Sequence, residues 1–447
     1  MLDVAFEILR EIKAHGRLAV VVGGTVRDLL LGRPLTDVDL ATDMPLAELS
    51  SLFKTYAVGR SEEFETVVIT RGGHAFEISR FRRGGQPPGQ PVAAQPGEGF
   101  DPLLEDTAHR DFTVNALLLG LDGAIIDLQG GLADLRNRVV RCVGAPEGRF
   151  AEDPARIVRA VRFAACLGFT IEPETAAAIA REAPRVNGVA GERIGKEIVK
   201  MASQPGAALA KAIVLMDEFG LLAALLPEVG RLRGLPRPVE CRPERDAWEH
   251  TLAALRSSTS ADPAVNLAVL LHDVGTHPGH RDVAGRHHAR GHESAGGRIV
   301  DTAARRLHLP QRLRAAVGFA VEQQLQAGGF ADLRRSKRLA LLASAHWPVL
   351  RSLALCDSAA RGDAAAVARL EAAFCEGEAD AAATCRRRNG APVIAGARVM
   401  QLTGLAPGPP VGEIRRRVSE WAEDNRVEDR ERIEAEVVRV ARLPPGL

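Results

Sequence analysis

Cysteine, aromatic side chains and net charge are all scarce in this chain, and each scarcity removes a class of explanation. The six cysteines, Cys142, Cys166, Cys241, Cys356, Cys375 and Cys385, are scattered over 447 residues with no C-x-x-C pair. That pattern argues against a zinc ribbon or a disulfide framework and fits a reducing compartment. Aromatic residues make up 4%, with one tyrosine, so the cores must be largely Ala, Leu and Val. The 58 Lys plus Arg are balanced by 57 Asp plus Glu. A nucleic acid would therefore be held by local patches, not by a uniformly cationic surface. No apolar run approaches transmembrane length. Residues 1–16, MLDVAFEILREIKAHG, carry acids inside an apolar pattern, as an amphipathic helix does and a signal peptide does not. A soluble, cytoplasmic protein of several domains is the expectation, with no membrane and no obligate protein partner evident.

What is present is concentrated first in Ala19–Asp43, AVVVGGTVRDLLLGRPLTDVDLATD. Val20–Val22 form a β-branched run suited to a buried strand. Gly23 and Gly24 follow, then a short helical stretch, Thr25–Leu31, stopped by Gly32 and Pro34. A strand, a Gly-Gly turn and a helix start place backbone N–H groups where phosphates can sit. A second strand, Asp37–Ala41, carries Asp37 and Asp39 two residues apart and so on one face. Acids paired in this way hold hard divalent cations through oxygen. Further on, Pro45–Lys54 reads as a helix and Thr66–Thr70 and Ala75–Phe81 as strands, with Glu77 on the face opposite Phe76 and Ile78. Arg82–Pro102, rich in Gly, Pro and Gln, reads as a flexible loop over a site.

The order GG-x-x-R-D (Gly23, Gly24, Arg27, Asp28) then D-x-D resembles the DNA polymerase β-like nucleotidyltransferase superfamily, whose site uses carboxylates from two adjacent strands, which implies Glu77 as a candidate third acid. The run Arg110-Asp111-Phe112-Thr113-Val114-Asn115-Ala116-Leu117 resembles the second motif of the bacterial, class II CCA-adding and poly(A) polymerase group, in which such residues contact the nucleotide's sugar and phosphates. His109 stands where that motif has its first Arg. Asp127, Gly131, Asp134 and Leu135 match a third motif, a joint between a catalytic head and a helical remainder. Glu152-Asp153-Pro154-Ala155-Arg156, followed by Arg159, resembles the motif that acts as an amino-acid template for the base. Here Asp153 is expected to cap a helix with Pro154 at its first position. Asp153 and Arg156, three apart, are expected on one helical face. An ionised Asp only accepts hydrogen bonds and Arg only donates. Cytosine and adenine both offer an amine beside a ring acceptor, whereas uracil and guanine present the reverse and are rejected. Gly191–Met201, with Glu197, matches a fifth motif that buttresses this helix.

Downstream, Trp248-Glu249-His250-Thr251, Leu270-Leu271-His272-Asp273-Val274-Gly275 and Gly291-His292-Glu293 resemble an HD phosphohydrolase domain. The resemblance implies His250, His272, Asp273 and a distal Asp357 as ligands for a transition metal such as Mn, Co or Ni. Thr276 replaces a frequent Lys, and Gln323 and Gln324 occupy a place where a His pair is expected. Arg334–Arg338 and Arg386–Arg388 are basic clusters suited to RNA phosphates or to solvated helix ends. Pro392–Glu413 resembles the C-terminal segment of the same bacterial group and precedes an expected final helix, Val411–Val440.

The resemblance implies an α+β chain. A polymerase β-like head with a small mixed sheet spans residues 1–145 and a neck with the templating helix 146–205. A helical body and linker (206–245), an α-helical HD domain (246–360) and a helical RNA-binding tail (361–447) follow. The implied activity is addition of CCA to tRNA 3′ ends from CTP and ATP, with two Mg²⁺ on Asp37 and Asp39. A poly(A) polymerase, a CC- or A-adding enzyme, or an HD-type phosphohydrolase acting on RNA 3′ ends are the alternatives.

Overall fold

Val20–Val22 end up where their branching suits them, in a strand buried on both faces at the middle of a sheet. The computed structural model describes residues 1–57, 66–82, 101–236, 246–276, 292–388 and 391–443. They fall into two compact units, one of residues 1–201 and 211–225, the other of residues 202–210 and 226–447.

The first unit begins with a helix, Leu2–Ala14, that buries Ala5, Ile8, Leu9 and Ile12 at the spacing of one helical face. The sheet comprises β1 (Ala19–Val22), β2 (Val38–Thr42), β3 (Thr55–Ala57), β4 (Thr66–Arg71), β5 (His74–Arg80), β6 (Leu117–Leu119) and β7 (Ile125–Asp127). Their spatial order is β3-β4-β5-β2-β1-β6-β7. β2 and β5 run parallel and the other neighbours antiparallel, so the sheet is mixed as expected. The β2–β5 register sets Asp39 directly beside Glu77. Val20, Val22, Ala41, Phe81 and Leu118 close one core cluster of the sheet. Asp37 precedes β2 instead of opening it, because β2 starts at Val38. The part of Arg82–Pro102 from 83 to 100 lies outside the described residues, as do 58–65.

After β7 the third motif shows its mechanical role. Asp127 accepts hydrogen bonds from the N–H groups of Gly131 (2.8 Å) and Leu132 (2.9 Å), capping the helix Gly131–Asn137. A Cβ at Gly131 would lie 2.2 Å from the Thr113 carbonyl oxygen, so only glycine lets this helix approach. Asp134 accepts from Thr113 Oγ1 at 2.7 Å. These contacts pin the short 3₁₀ turn Thr113–Asn115 from behind.

The helix expected to start behind Asp153 is Ala155–Leu167, and a separate helix, Pro146–Glu152, precedes it. Asp153 sits at the break, and Pro154, not Asp153, occupies the residue before the second helix. The proline ring restricts the residue ahead of it to extended backbone, which ends the first helix there. Asp153 still serves the second helix through its side chain, accepting from Ala155 N–H at 3.1 Å. Pro173–Glu182, Gly191–Ala202 and Gly206–Glu218 complete the helical part.

The second unit is helical. Ala247–Ser257, Pro263–Leu271, Gln311–Gly328 and Trp347–Ala360 pack on one another, followed by the long helix Ala364–Arg388. Of the Pro227–Pro243 linker, Pro227–Gly230 is a short helix and 237–245 lie outside the described residues. The expected single helix Val411–Val440 is instead Pro409–Asp424 and Arg430–Ala441. Arg426 turns into the left-handed region (φ 52°) and Val427 N–H closes onto Ala422 O at 2.8 Å, which ends the first of them. With Gly396–Thr403 they enclose a core of Val399, Val418, Ala422 and Val437. Arg335 is not available to RNA phosphates: it is buried against Asp380 (2.7 Å) and Glu423 (2.5 Å). Among the described residues no single helix is long and apolar enough to cross a membrane.

Candidate functional site

The first unit carries a cleft of about 450 Å³ between the sheet's β1–β2 end and the helices Ala155–Leu167 and Gly191–Ala202. It brings together Gly23, Gly24, Arg27, Asp28, Asp37, Asp39, Arg110, Asp111, Asn115, Asp153, Arg156 and Arg159 from four separate stretches of chain. Glu77, on β5, joins Asp39 from the neighbouring strand.

Gly23 has φ 69°, and a Cβ there would meet Arg110 Nη1 at 3.0 Å. The turn is thus built so that a guanidinium and the backbone share one spot. Arg110 is fixed by Asp106, a buried carboxylate that accepts from its Nε (2.9 Å) and Nη2 (2.7 Å). Arg27 is itself buried: it donates to Asn115 Oδ1 (2.5 Å) and to both oxygens of Asp28, and lies 5.0 Å over the Phe163 ring. It builds the cleft floor.

Asp39 N–H donates to Thr25 Oγ1 at 3.1 Å, which ties β2 to the Gly-Gly turn. Burial, then the charges of Glu77 and Asp37, push the Asp39 carboxyl up from an ordinary 3.8 to about 6. Asp37 and Asp39, with Glu77 on the neighbouring strand, offer oxygen donors of the kind that hold a hard divalent cation. Asp111 is the opposite case. Burial works against its ionisation, but Arg159 (2.5 Å), Asn115 (3.0 Å) and the Phe112 N–H (2.9 Å) outweigh it and hold the carboxyl well below the usual range.

Asp153 and Arg156 both line the cleft, but they are not paired as their spacing suggested. The break at Asp153 takes it off the helical face that Arg156 occupies. Asp153 Oδ2 accepts from Arg193 Nη2 at 2.7 Å. Arg156 donates to Glu152 (2.7 Å), to the Arg149 carbonyl (3.1 Å) and to the His109 carbonyl (3.4 Å). His109 therefore contributes its backbone to the arrangement of Arg156. Glu197 receives Arg162 at 2.5 Å and lies 3.7 Å from Arg159, a direct buttress of the arginine helix.

Arg82, Arg162, Arg193 and Lys200 line the same cleft although none was singled out as a site residue from the sequence; Arg193 and Lys200 fall within Gly191–Met201. A signal existed for three of them. Arg156, Arg159 and Arg162 recur every three residues, and Arg193, Glu197 and Lys200 recur at i, i+4 and i+7, one face of a helix.

In the second unit the ligand atoms of His250, His272 and Asp357 lie within 4.8 Å of one another. His250 Nε2 is 2.8 Å from Asp357 Oδ1, and His272 Nε2 is 3.8 Å from it and 3.4 Å from Asp273 Oδ2. His272 is 1% exposed, its Nδ1 bonds the Val269 carbonyl (2.8 Å), and its buried Nε2 has no hydrogen-bond partner among the described residues. Gln324, in the place of a His, donates to the His272 carbonyl at 2.7 Å and so braces the site's backbone. Most of the local histidines, between 277 and 291, lie outside the described residues.

Comparison with known proteins supplies the context. Residues 19–141 match the poly A polymerase head domain, and residues 168–232 match a probable RNA and SrmB-binding site of polymerase A. The chain is 40% identical over 233 residues to a CCA-adding enzyme of Geobacillus stearothermophilus, and 36% identical over 274 residues to one of Geobacillus thermodenitrificans. These stretches cover 52% and 61% of this chain and only 56% and 63% of the relatives' lengths. Its structure resembles that of the Bacillus stearothermophilus CCA-adding enzyme in complex with CTP, with a TM-score of 0.72 at 28% identity, over 98% of this chain and 97% of the other. A Thermotoga maritima CCA-adding enzyme complexed with tRNA shares the fold at 18% identity, with a TM-score of 0.57 over 98% of this chain and 95% of the other. The head is thus a polymerase β-like nucleotidyltransferase fold followed by a mostly helical remainder.

Proposed function

We propose that the chain belongs with the bacterial CCA-adding enzymes it resembles, and that it adds C, C and A to tRNA 3′ ends from CTP and ATP without a nucleic-acid template, releasing pyrophosphate. The observation that carries this is one cleft in which Asp37 and Asp39 lie with Asp153 and Arg156. The acid cluster fits hard divalent cations: burial and mutual repulsion raise Asp39 to about 6, and a bound cation would relieve both. Two Mg²⁺ ions on Asp37 and Asp39, with Glu77 beside them, would lower the pKa of the primer 3′-hydroxyl and neutralise the triphosphate and leaving pyrophosphate.

The protein's own groups do the rest by positioning. Gly23 and Gly24 let phosphate oxygens reach backbone N–H groups, and Arg110, held by Asp106, supplies a fixed positive charge beside them. Asp111, kept ionised by Arg159 and Asn115, accepts from the sugar hydroxyls. Arg27 and Asp28 lock the floor to Asn115. Asp153 accepts from the base amine and Arg156 donates to the ring acceptor, so C and A pair while U and G leave two buried mismatches. We divide the chain functionally into the head (1–145), neck (146–205), body (206–245), HD domain (246–360) and RNA-gripping tail (361–447). The five described cysteines are all free, which supports a reducing cytoplasm as the place of action.

A second reading concerns the second unit. Beside His250 and Asp357, the buried Nε2 of His272, unpartnered among the described residues, fits a transition metal with nitrogen and oxygen ligands, such as Mn, Co or Ni. Such a centre would support phosphate release from RNA 3′ ends.

The test offers the purified protein a tRNA lacking its 3′ CCA, all four NTPs and Mg²⁺, and sequences the product ends. Ends stopping at CCA support the proposal. Runs of A place the protein among poly(A) polymerases, stops at CC among split-function enzymes, and unextended tRNA moves the activity to the second unit.

A further inference from the structure

Asp153 is held by a helix other than its own. Its Oδ1 accepts from Ala155 N–H at 3.1 Å and its Oδ2 from Arg193 Nη2 at 2.7 Å. Arg193 stands in the first turn of Gly191–Ala202. Four residues on, Glu197 anchors Arg162 and faces Arg159. One helix face therefore grips both the residue ahead of the arginine helix and the arginines along it. Arg156, the nearer cation by sequence, is engaged elsewhere, on Glu152 and two backbone carbonyls.

Two separate donors on the two oxygens fix both torsions of the Asp153 side chain; one donor alone would leave the carboxylate free to swivel. Each oxygen keeps one further lone-pair direction, enough to accept a single amine N–H from a base. The carboxylate is only partly buried, with 29% of its side chain exposed, so its orientation is not imposed by packing. Arg193 is 54% exposed and is not part of the hydrophobic core.

We propose that Arg193 is the specificity-determining positioning residue of base selection: it sets the direction of the Asp153 carboxylate that meets the incoming base. The proposal rests on the reading of Asp153 as the base acceptor. Without Arg193 the carboxylate keeps only its Ala155 N–H donor, swivels toward Arg156, three residues along, and no longer faces the base. This change erodes choice more than it weakens nucleotide binding. A lysine at 193 keeps the charge while losing the planar fork, so it restores selection in part.

The experiment uses the full-length protein and a tRNA ending one position short of a C, with CTP and UTP in competition, and separates kcat from KM. Arg193→Ala is expected to lower the CTP-over-UTP preference about tenfold or more, the scale of one lost hydrogen bond to a charged group. Arg193→Lys recovers most of it, and both variants melt with the parent. If the Ala variant melts early, the Lys variant carries the test through an intermediate loss of preference. An equal rise in KM for both nucleotides with preference intact identifies Arg193 as a triphosphate contact and overturns the proposal, as do unchanged kinetics. Asp153→Asn separates the two levels. If it relaxes preference while Arg193→Ala does not, this proposal fails alone; if it too leaves preference intact, the base-acceptor reading fails.

Discussion

Replacing Asp39 by Asn should make the metal-free protein more stable while removing its activity. In the folded state Asp39 titrates near 6, raised from 3.8 by burial and by the charges of Glu77 and Asp37. A carboxyl whose folded value is raised favours folding in its protonated form, fully so below the unfolded value. That contribution is lost as pH rises through the folded value. At neutral pH the ionised side chain therefore strains the fold. A shift of about two units at about 1.4 kcal/mol each gives about 3 kcal/mol of strain. Asn keeps the shape and removes the charge, so urea denaturation in EDTA at pH 7.5 should show a gain approaching about 3 kcal/mol. At pH 4.5, where the parent's Asp39 is already protonated, the gain should fall to about 1 kcal/mol. Mg²⁺ should then stabilise the parent at pH 7.5 and leave the variant nearly unchanged, since a ligand stabilises only the state that binds it. A variant no more stable than the parent, or a gain equal at both pH values, would refute the picture of three crowded acids awaiting a cation.

Asp37→Ala is expected to abolish incorporation of every nucleotide while tRNA binding in a filter assay survives; remaining CMP addition would sink the metal assignment. Arg156→Ala should relax the choice of C and A over U and G in competition assays more than it weakens tRNA binding. Gly131→Ala forces a Cβ to within 2.2 Å of the Thr113 carbonyl, and overpacking of this kind should cost about 1–3 kcal/mol in denaturant titration. His272→Asn should lower the Mn, Co or Ni retained by purified protein, measured by elemental analysis, without changing nucleotide addition.

Much of the head was legible because its chemistry is local. Gly23 and Gly24, Asp37 and Asp39, and the Asp111–Asn115 turn each declare themselves within a few residues, and the pairing of Asp39 with Glu77 follows from two short strands of the right alternation. What the sequence hid was partnership across distance. Spacing alone put Asp153 with Arg156, but Pro154 breaks the helix and gives Asp153 to Arg193, forty residues away. Arg335 looked like part of a surface cluster because nothing local announces Asp380 and Glu423. The split of the last helix was equally hidden, since it rests on Arg426 adopting a backbone conformation that glycine usually supplies.

Phe163 gathers guanidinium groups from two directions: Arg27 from the head at 5.0 Å, and Arg159 and Arg162 from its own helix at 5.5 and 4.0 Å. In a chain so poor in aromatics, one ring serves as the common bearing for the Arg27 side of the cleft and the Arg159 side. The two sides are therefore geared together. Shaving that ring to leucine would loosen grip and choice in the same stroke, whereas substitutions at the rim would touch choice alone.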